Sequence, residues 1–377
     1  MKKLFLTGLI AALAFSQVAQ AELEISGSVT TMVGYQHDNV NAGNTTGSGG
    51  LTQGDLRWAP TARADHFGFL VDQAELDVEN EFGENIMARM DLDFIDLGSP
   101  SASAFFLEQA YVTANLGIGN GMEFLVGKFN APVGLESVDR HENVFSTYTP
   151  GWVFLEPTQV LGMKFYYDFS DTWNFDFAVV NSMNGSGLNS GLPSAILRVG
   201  ANWGDEGRES FWHIALGFGP EYSGVTGAAG AAGAVSHNTH YDALLATWGN
   251  FALGEYWDLG WELVGRRSNT VVGATNQSAF AGQLYGVYQA SDVWTVQFRG
   301  AYFHEFSALA AASTGASTTG TTWSGHQGKT YSGTLGATYQ ITDDAHMKLE
   351  YRFDLAATTG TANPQFHTGV AEFGYSF

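Results

Sequence analysis

The sequence has 377 residues, no cysteine, 47 glycines and 38 acidic against 16 basic side chains, which gives a formal net charge of −22. The lack of cysteine excludes disulfide scaffolds, thiolate zinc sites and iron–sulfur clusters. The acidic excess argues against nucleic acid as a partner, because phosphate neutralisation needs clustered Lys and Arg. A hydrophobic fraction of 45% with 14% aromatic residues excludes a disordered chain.

The N-terminal segment has the parts of a secretory signal peptide in their usual order. Lys2 and Lys3 precede an apolar run over 4–15, and Ala19-Gln20-Ala21 forms a small-residue cleavage pattern. We predict a signal peptide over 1–21 and a single exported unit over 22–377. Residues 1–21 hold two lysines and no acid, so the remaining chain has a net charge of −24.

The remaining chain is dominated by a period of two residues. Near its C-terminus, apolar Leu349 and Tyr351 alternate with charged Lys348, Glu350 and Arg352, as they do on the two faces of a strand. The pattern predicts about 16 strands (about 14 to 18) and is weakest near 122–129 and 239–249. The predicted strands are 23–38, 66–82, 86–97, 105–116, 122–129, 160–169, 173–182, 193–203, 210–219, 239–249, 257–267, 278–289, 293–304, 329–340, 346–356 and 365–377.

The connections between these strands alternate in length. Short turns such as 83–85 and 170–172 alternate with long polar stretches such as 39–64 and 305–328. No later segment has the roughly 18 consecutive apolar residues of a membrane-spanning helix. The pattern is typical of a transmembrane antiparallel up-and-down β-barrel, an all-β fold with short periplasmic turns and long extracellular loops. A soluble sandwich or propeller is the alternative, but the chain has no blade-like repeat.

The last strand carries an alternating aromatic row, Phe373, Tyr375 and Phe377. This ending resembles the C-terminal strand of bacterial outer-membrane proteins. The resemblance implies that the row acts as a barrel-assembly signal, with the barrel-assembly machinery and outer-membrane lipid as partners. We therefore expect the protein in the outer membrane of a bacterial cell.

A barrel of about 16 strands leaves an aqueous lumen, which predicts a channel for small hydrophilic solutes and ions. Charges of both signs are expected on its inner wall, and the acidic excess predicts a modest cation preference. A solvated wall with no dedicated site is the alternative. By strand parity the inward charged residues are Glu75, Asp77, Glu79, Arg89, Asp91, Asp93, Lys164, Arg198, Glu262, Arg266, Arg299, Lys348, Glu350 and Arg352.

Residues 130–159 form the longest predicted connection and differ from the Gly/Ser/Thr-rich loops. A charged half is followed by an aromatic half that contains Pro150 and Pro157. We predict that this connection folds into the lumen and constricts it; a surface loop or a cap over the mouth is the alternative. The predicted constriction residues are Glu136, Asp139, Arg140, His141 and Glu142.

Residues 105–180 carry short motifs that resemble the OmpL-like outer-membrane β-barrel porins. The resemblance implies an outer-membrane pore and brings no substrate and no catalytic residue. A homotrimer follows only from analogy with trimeric porins. The matching motifs are Glu108-Gln109-Ala110-Tyr111, Gly127-Lys128-Phe129-Asn130 and Pro132-Val133-Gly134-Leu135-Glu136, with Asn143, Ser146 and Gly162.

Enzyme and metal motifs are not found in the sequence. It contains no G-x-S-x-G, H-E-x-x-H, Walker or G-x-G-x-x-G motif, so we predict no catalytic residue and no cofactor. His237, His240 and Asp242 come nearest to a metal cluster, and Asp91, Asp93 and Asp96 lack the spacing of a calcium loop; no metal site is predicted. Adhesion through the long loops, or hydrolysis, remains an alternative function.

Overall fold

The computed structural model describes residues 23–38, 66–83, 85–96, 103–183, 192–205, 208–220, 240–270, 277–306, 328–358 and 365–377. The predicted signal peptide lies outside these residues. Most of the long polar connections also lie outside them. These connections are the surfaces on which the alternative adhesion function depends.

Sixteen antiparallel strands form one closed barrel in which each strand pairs with its neighbours in sequence. The predicted fold class and strand number are confirmed. The strands are β1 (Leu23–Asp38), β2 (His66–Phe82), β3 (Ile86–Asp96), β4 (Ser103–Asn115), β5 (Glu123–Asn130), β6 (Gln159–Asp168), β7 (Trp173–Val180), β8 (Ser194–Asp205), β9 (Arg208–Pro220), β10 (His240–Leu253), β11 (Trp257–Thr270), β12 (Gln277–Gln289), β13 (Trp294–Glu305), β14 (Gly328–Thr342), β15 (Ala345–Thr358) and β16 (Gln365–Ser376).

The barrel closes where β1 pairs with β16. At its end, the Phe377 amide donates to the Gly27 carbonyl at 3.0 Å, and the Gly27 amide donates to the Phe377 carbonyl at 3.1 Å. Closure gives every strand two partners, so no strand edge is left with unpaired backbone groups.

The two faces of the wall have opposite chemistry. Apolar side chains point outward, as shown by Phe69 (79% exposed) and Leu284 (69% exposed), whereas Asp91, Glu262 and Arg352 are buried inside. A soluble sandwich would have the reverse arrangement, with an apolar core. An outer surface of apolar rows fits hydrocarbon as its surroundings.

Several aromatic residues near the strand ends are exposed on the outer face, among them Trp173, Trp203 and Trp294. This is where interfacial aromatic girdles are expected. Among the described residues, the helices are too short or too polar to cross a membrane.

Several strands extend past their predicted ends, and β10 extends furthest, by four residues. β10 runs to Leu253, which pairs with Trp257 of β11, whereas the sequence pattern ended near residue 249. The alternation is lost at Gly249 and Asn250, but the backbone pairing with β11 continues through them because ladder bonds do not depend on side-chain type.

The period of two is broken by β-bulges in β2 and β4, and a third register shift lies between Gln340 and Thr342 at the end of β14. In β2, Thr30 and Thr31 of β1 face Gln73 and Val71, which leaves Asp72 as the extra residue. In β4, Asp91 and Leu92 of β3 face Gln109 and Leu107, which leaves Glu108 as the extra residue. A bulge directs two successive side chains to one face.

Candidate functional site

The connection between β5 and β6, residues 131–158, is fully described and has a defined local structure. It contains a short 3-10 turn at Arg140–Glu142 and a short helix, α1, at Pro150–Phe154. Thr149 caps α1 by accepting a hydrogen bond from the Trp152 amide at 3.4 Å, and Pro150 at the first position fixes a helical backbone angle.

The two halves of the connection are packed against each other. The Tyr148 hydroxyl donates to the Ser137 carbonyl at 2.9 Å, and the Trp152 indole donates to the Glu136 carbonyl at 3.1 Å. The Tyr148 and Trp152 rings are stacked with centroids 3.7 Å apart, and the Arg140 guanidinium lies 4.0 Å above Tyr148. The aromatic half thus supports the charged half.

Near its start, the connection has a glycine, Gly134, that no other residue could replace without strain. Gly134 has φ of +99°, and a Cβ atom at this position would lie 1.9 Å from Oε2 of Glu156. The backbone therefore passes directly over a buried carboxylate at the opposite end of the connection.

Arg299 of β13 holds the connection from the far side of the barrel. β13 is eight strands from β5 in either direction around the ring, so the two strands face each other. Arg299 donates from Nη1 to Oε1 of Glu136 at 2.8 Å and from Nη2 to the Thr147 carbonyl at 2.8 Å. The connection consequently reaches the wall opposite its own strands.

Three inward residues of β15 bind the middle of the connection. Lys348 donates to the Asn143 carbonyl at 2.7 Å, and Arg352 donates to the Tyr148 carbonyl at 2.6 Å. Between them, Glu350 accepts from the Ser146 amide at 2.7 Å and from the Thr147 hydroxyl.

β11 binds both ends of the connection. Glu262 accepts from the Leu135 amide at 2.8 Å, and Arg266 donates to the Leu155 carbonyl at 3.1 Å. Arg266 is also paired with Asp242 at 2.6 Å. The charged wall side chains that meet the connection on β11, β13 and β15 are all among those that strand parity predicts on the inner face.

Gln73 and Gln109, next to the bulges of β2 and β4, make contacts that are not among those predicted from the sequence. Gln73 accepts from the Arg140 amide at 2.8 Å and donates to Asp93 at 2.9 Å. Gln109 accepts from the Asn130 amide at 2.9 Å and donates to Asp91 at 2.6 Å. The sequence signal for each bulge is two adjacent polar residues within an otherwise alternating strand. These are Asp72-Gln73 in β2 and Glu108-Gln109 in β4.

The remaining predicted wall residues lie in two groups away from the middle of the connection. Arg89 pairs with Asp91 at 2.8 Å and lies 3.8 Å from Asp77, while Glu79 faces Arg89 across the β2–β3 pair. On β6–β9, Asp176 pairs with Lys164 at 3.6 Å and with Arg198, which also contacts His213 at 3.2 Å. Neither Asp176 nor His213 is among the wall residues predicted from the sequence.

The five predicted constriction residues do not share one environment. Glu136 borders two open cavities and Glu142 is exposed. Asp139 and Arg140 turn toward β2, where Arg140 lies 3.9 Å from Asp72. Burial lowers the pKa of His141, and burial next to Glu142 raises the pKa of Asp139 to about 6.

Open space remains between the connection and the wall of β6–β13. A cavity of about 400 Å³ is bordered by residues 130–138 of the connection side and by Lys164, Arg198 and His213 of the wall. A second cavity of about 270 Å³ is bordered by Tyr285 and Arg299. Leu135, Glu136, Ser137 and Phe211 line both, so the two cavities adjoin.

The predicted assembly residues, and the two residue groups that were compared with metal-binding patterns, lie elsewhere. Phe373, Tyr375 and Phe377 are about half exposed on the outer face of β16. Asp242 is occupied by Arg266, while His237 and the side chains of His240 and Asp96 lie outside the described residues.

Residues 22–377 match the family described as "Putative beta-barrel porin-2, OmpL-like". The chain belongs to this family. Its location is accordingly the bacterial outer membrane, and family and fold together indicate a channel. Among curated proteins, none matches the chain.

Solved outer-membrane proteins share the fold of this OmpL-like porin at low sequence identity. The outer membrane channel DcaP of Acinetobacter baumannii has a TM-score of 0.65 and 13% identity, with 95% of this chain and 97% of that chain covered. An anion-selective porin from Comamonas acidovorans has a TM-score of 0.64 and 12% identity, with 95% and 100% covered. In vitro folded OmpT of Vibrio cholerae, in a trimer form, has a TM-score of 0.56 and 12% identity, with 95% and 99% covered.

Proposed function

We propose that the protein is a porin whose water-filled channel admits small hydrophilic solutes and ions by passive diffusion, and that the connection 131–158 constricts this channel. The Arg299–Glu136 ion pair carries the proposal, because β13 lies opposite β5 and the connection must extend across the barrel interior to reach it. The two adjoining cavities beside Glu136 are the space left for solutes.

A modest cation preference belongs to the same proposal. The wall of β2–β4 carries Asp72, Glu75, Asp77, Asp91, Asp93 and Glu108 on its inner face, against Arg89. A lumen with an acidic excess concentrates cations and repels anions. The anion selectivity of the Comamonas acidovorans porin carries no weight here, since the two chains share a fold at 12% identity.

Planar-bilayer recording of the purified protein tests conduction. We expect stable open steps, and a reversal potential in a KCl gradient whose sign reports excess K⁺ permeation. A folded protein that inserts without conducting would contradict the channel, and a potential of opposite sign would contradict the cation preference alone.

Removal of residues 136–147 tests the constriction. Replacing them with a short Gly/Ser linker removes the Glu136 and Thr147 contacts while leaving α1 and both flanking strands. We expect a higher single-channel conductance and faster entry of larger sugars in liposome swelling. Unchanged conductance in a variant that folds to a heat-modifiable barrel would contradict the constriction.

Three further expectations belong to this function. The chain forms a homotrimer, as the trimer form of OmpT does; the mass of the detergent-solubilised protein by light scattering checks this. Residues 1–21 are removed on export, which the mass of the mature protein checks.

The outward row Phe373, Tyr375 and Phe377 is the assembly signal, so Phe377→Ala should lower the amount of barrel in the outer membrane, whereas Tyr351→Ala, an equally exposed change on β15, should not.

A further inference from the structure

Three carboxylates meet where the connection passes the bulges of β2 and β4. They belong to Glu75 on β2, Glu108 at the β4 bulge and Asp139 on the connection. One oxygen from each lies within 4.8 Å of the others, and all three side chains are buried. They come from three separate segments, so only the folded connection brings them together.

Four buried oxygens of these carboxylates have no hydrogen-bond donor. Glu108 is 1% exposed, and neither of its oxygens accepts a hydrogen bond; the same holds for Oε1 of Glu75 and Oδ1 of Asp139. The Ser28 hydroxyl reaches only the other Glu75 oxygen, at 3.5 Å. Unpaired charges cost several kcal/mol or more when removed from water, so four such oxygens at one point favour a bound positive charge, supplied either by protons shared between the carboxyl groups or by a metal ion.

No side chain in the described part of the chain supplies that charge through an ion pair with Glu75, Glu108 or Asp139. The neighbouring cations make their close contacts with other groups, although Lys128 lies near enough to Glu108 to interact with its charge. Lys128 donates to the Leu107 carbonyl at 2.6 Å, Arg89 pairs with Asp91, and Arg140 stacks on Tyr148.

We propose that Glu75, Glu108 and Asp139 form a binding site for a hard divalent cation of the calcium type. Calcium takes carboxylate oxygens in flexible arrangements of six to eight ligands, and Glu108 offers both of its oxygens. Asp77 and Asp91 form a second group around Glu75 within the same 4.8 Å limit and add negative charge beside the site. The bulge in β4 is what turns Glu108 inward.

The bound ion would join the connection to β2 and β4, on the side of the barrel away from Arg299. The connection would then be held at both walls, by an ion pair on one and by a metal on the other. Because the site includes the connection, an ion that binds here stabilises the docked connection by mass action.

Calorimetry with CaCl₂ on the EDTA-treated, folded full chain tests the site. We expect saturable binding of one ion by the wild type and at least about a tenfold loss of affinity in Glu108→Gln and Asp139→Asn, since affinity follows the number of charged ligands. The matched control Glu79→Gln on the same wall should bind as the wild type does. MgCl₂ in the same protocol should bind more weakly, because three carboxylates from separate segments do not impose octahedral geometry.

Binding that is unchanged in both Glu108→Gln and Asp139→Asn would overturn the proposal, as would a folded wild type that gives no calcium heat. Asp139→Asn lies outside the strands, so it decides the matter if Glu108→Gln fails to fold. The measurement does not use conduction, and its failure leaves the channel proposal standing.

Discussion

Arg299 on β13 and Glu136 on the connection form an ion pair, with 2.8 Å between Nη1 and Oε1, although they are 163 residues apart in sequence. Both side chains are largely buried, and the Arg299 guanidinium also lies 4.3 Å from the centre of the Phe145 ring. One side chain thus joins the charged half of the connection, its aromatic half and the opposite wall.

Arg299→Ala is expected to release the connection. Removing one partner of a buried ion pair leaves the other charge without compensation and costs about 3–5 kcal/mol. Single-channel recording should show higher and noisier conductance, and thermal unfolding should occur at lower temperature. Arg208→Ala is the matched control, because Arg208 pairs with Asp258 near the periplasmic turns where both side chains are a third exposed. Equal effects of the two changes would contradict a special role for Arg299.

Gly134→Ala is expected to destabilise the docked connection. The new methyl group would meet the Glu156 carboxylate, and a backbone angle of +99° strains any side-chain-bearing residue; such strain costs on the order of 1–3 kcal/mol. Limited proteolysis of the folded protein should cut the connection faster in the variant. Gly265→Ala is the control, because a Cβ atom there meets nothing within 4 Å, and it should be cut at the wild-type rate.

Two substitutions on the β6–β8 wall should shift ion selectivity in opposite directions. Asp176→Asn leaves Lys164 and Arg198 without their shared carboxylate, so anions should permeate more readily. Lys164→Gln removes one positive charge from the border of the larger cavity, so the cation preference should rise. Reversal potentials in a KCl gradient measure both. Shifts of the same sign would show that this wall does not line the conducting path.

The stability of the docked connection should fall as pH rises, and Glu156 is the reason. Burial, followed by the neighbouring Glu262 and Glu136, raises the pKa of Glu156 well above its ordinary 4.5. The docked form therefore holds a proton that the undocked form releases, so the contribution is complete below pH 4.5 and is lost as pH rises through the raised pKa.

Glu156→Gln imitates the protonated carboxyl and should flatten this dependence while retaining the wild-type conductance. Thermal unfolding measured over a pH series checks it, with Glu209→Gln at the start of β9 as the control. A slope as steep in Glu156→Gln as in the wild type would assign the pH dependence to other groups.

The barrel was predictable because its signal is repeated in every strand. Leu349 and Lys348 already show which face meets lipid, and sixteen such segments determine an even, closed barrel. The ends of strands were less predictable, as at Leu253, because backbone pairing continues where side-chain alternation has stopped. The neighbours of Glu136 were not predictable, since a partner such as Arg299 depends on which strands face each other across the ring.

The regular alternation of inward and outward side chains is interrupted at the bulges of β2 and β4. On β2, alternation counted from Glu75 correctly places Asp77 and Glu79 inward but gives the wrong face beyond Asp72. On β4, alternation counted from Tyr111 gives the wrong face beyond Glu108. The two side chains that parity omits are both acids, and one of them belongs to the proposed cation site.

A strand that gains one residue as a bulge gains an inward side chain and loses no outward one. Val71 and Ala74 both stay on the lipid face on either side of Asp72-Gln73, and Leu107 and Ala110 do the same around Glu108-Gln109. Insertion of one codon therefore adds a charged residue to the interior of such a barrel. The lipid-facing surface stays unchanged. Deletion of Asp72 or Glu108 would reverse that step and leave a regular strand.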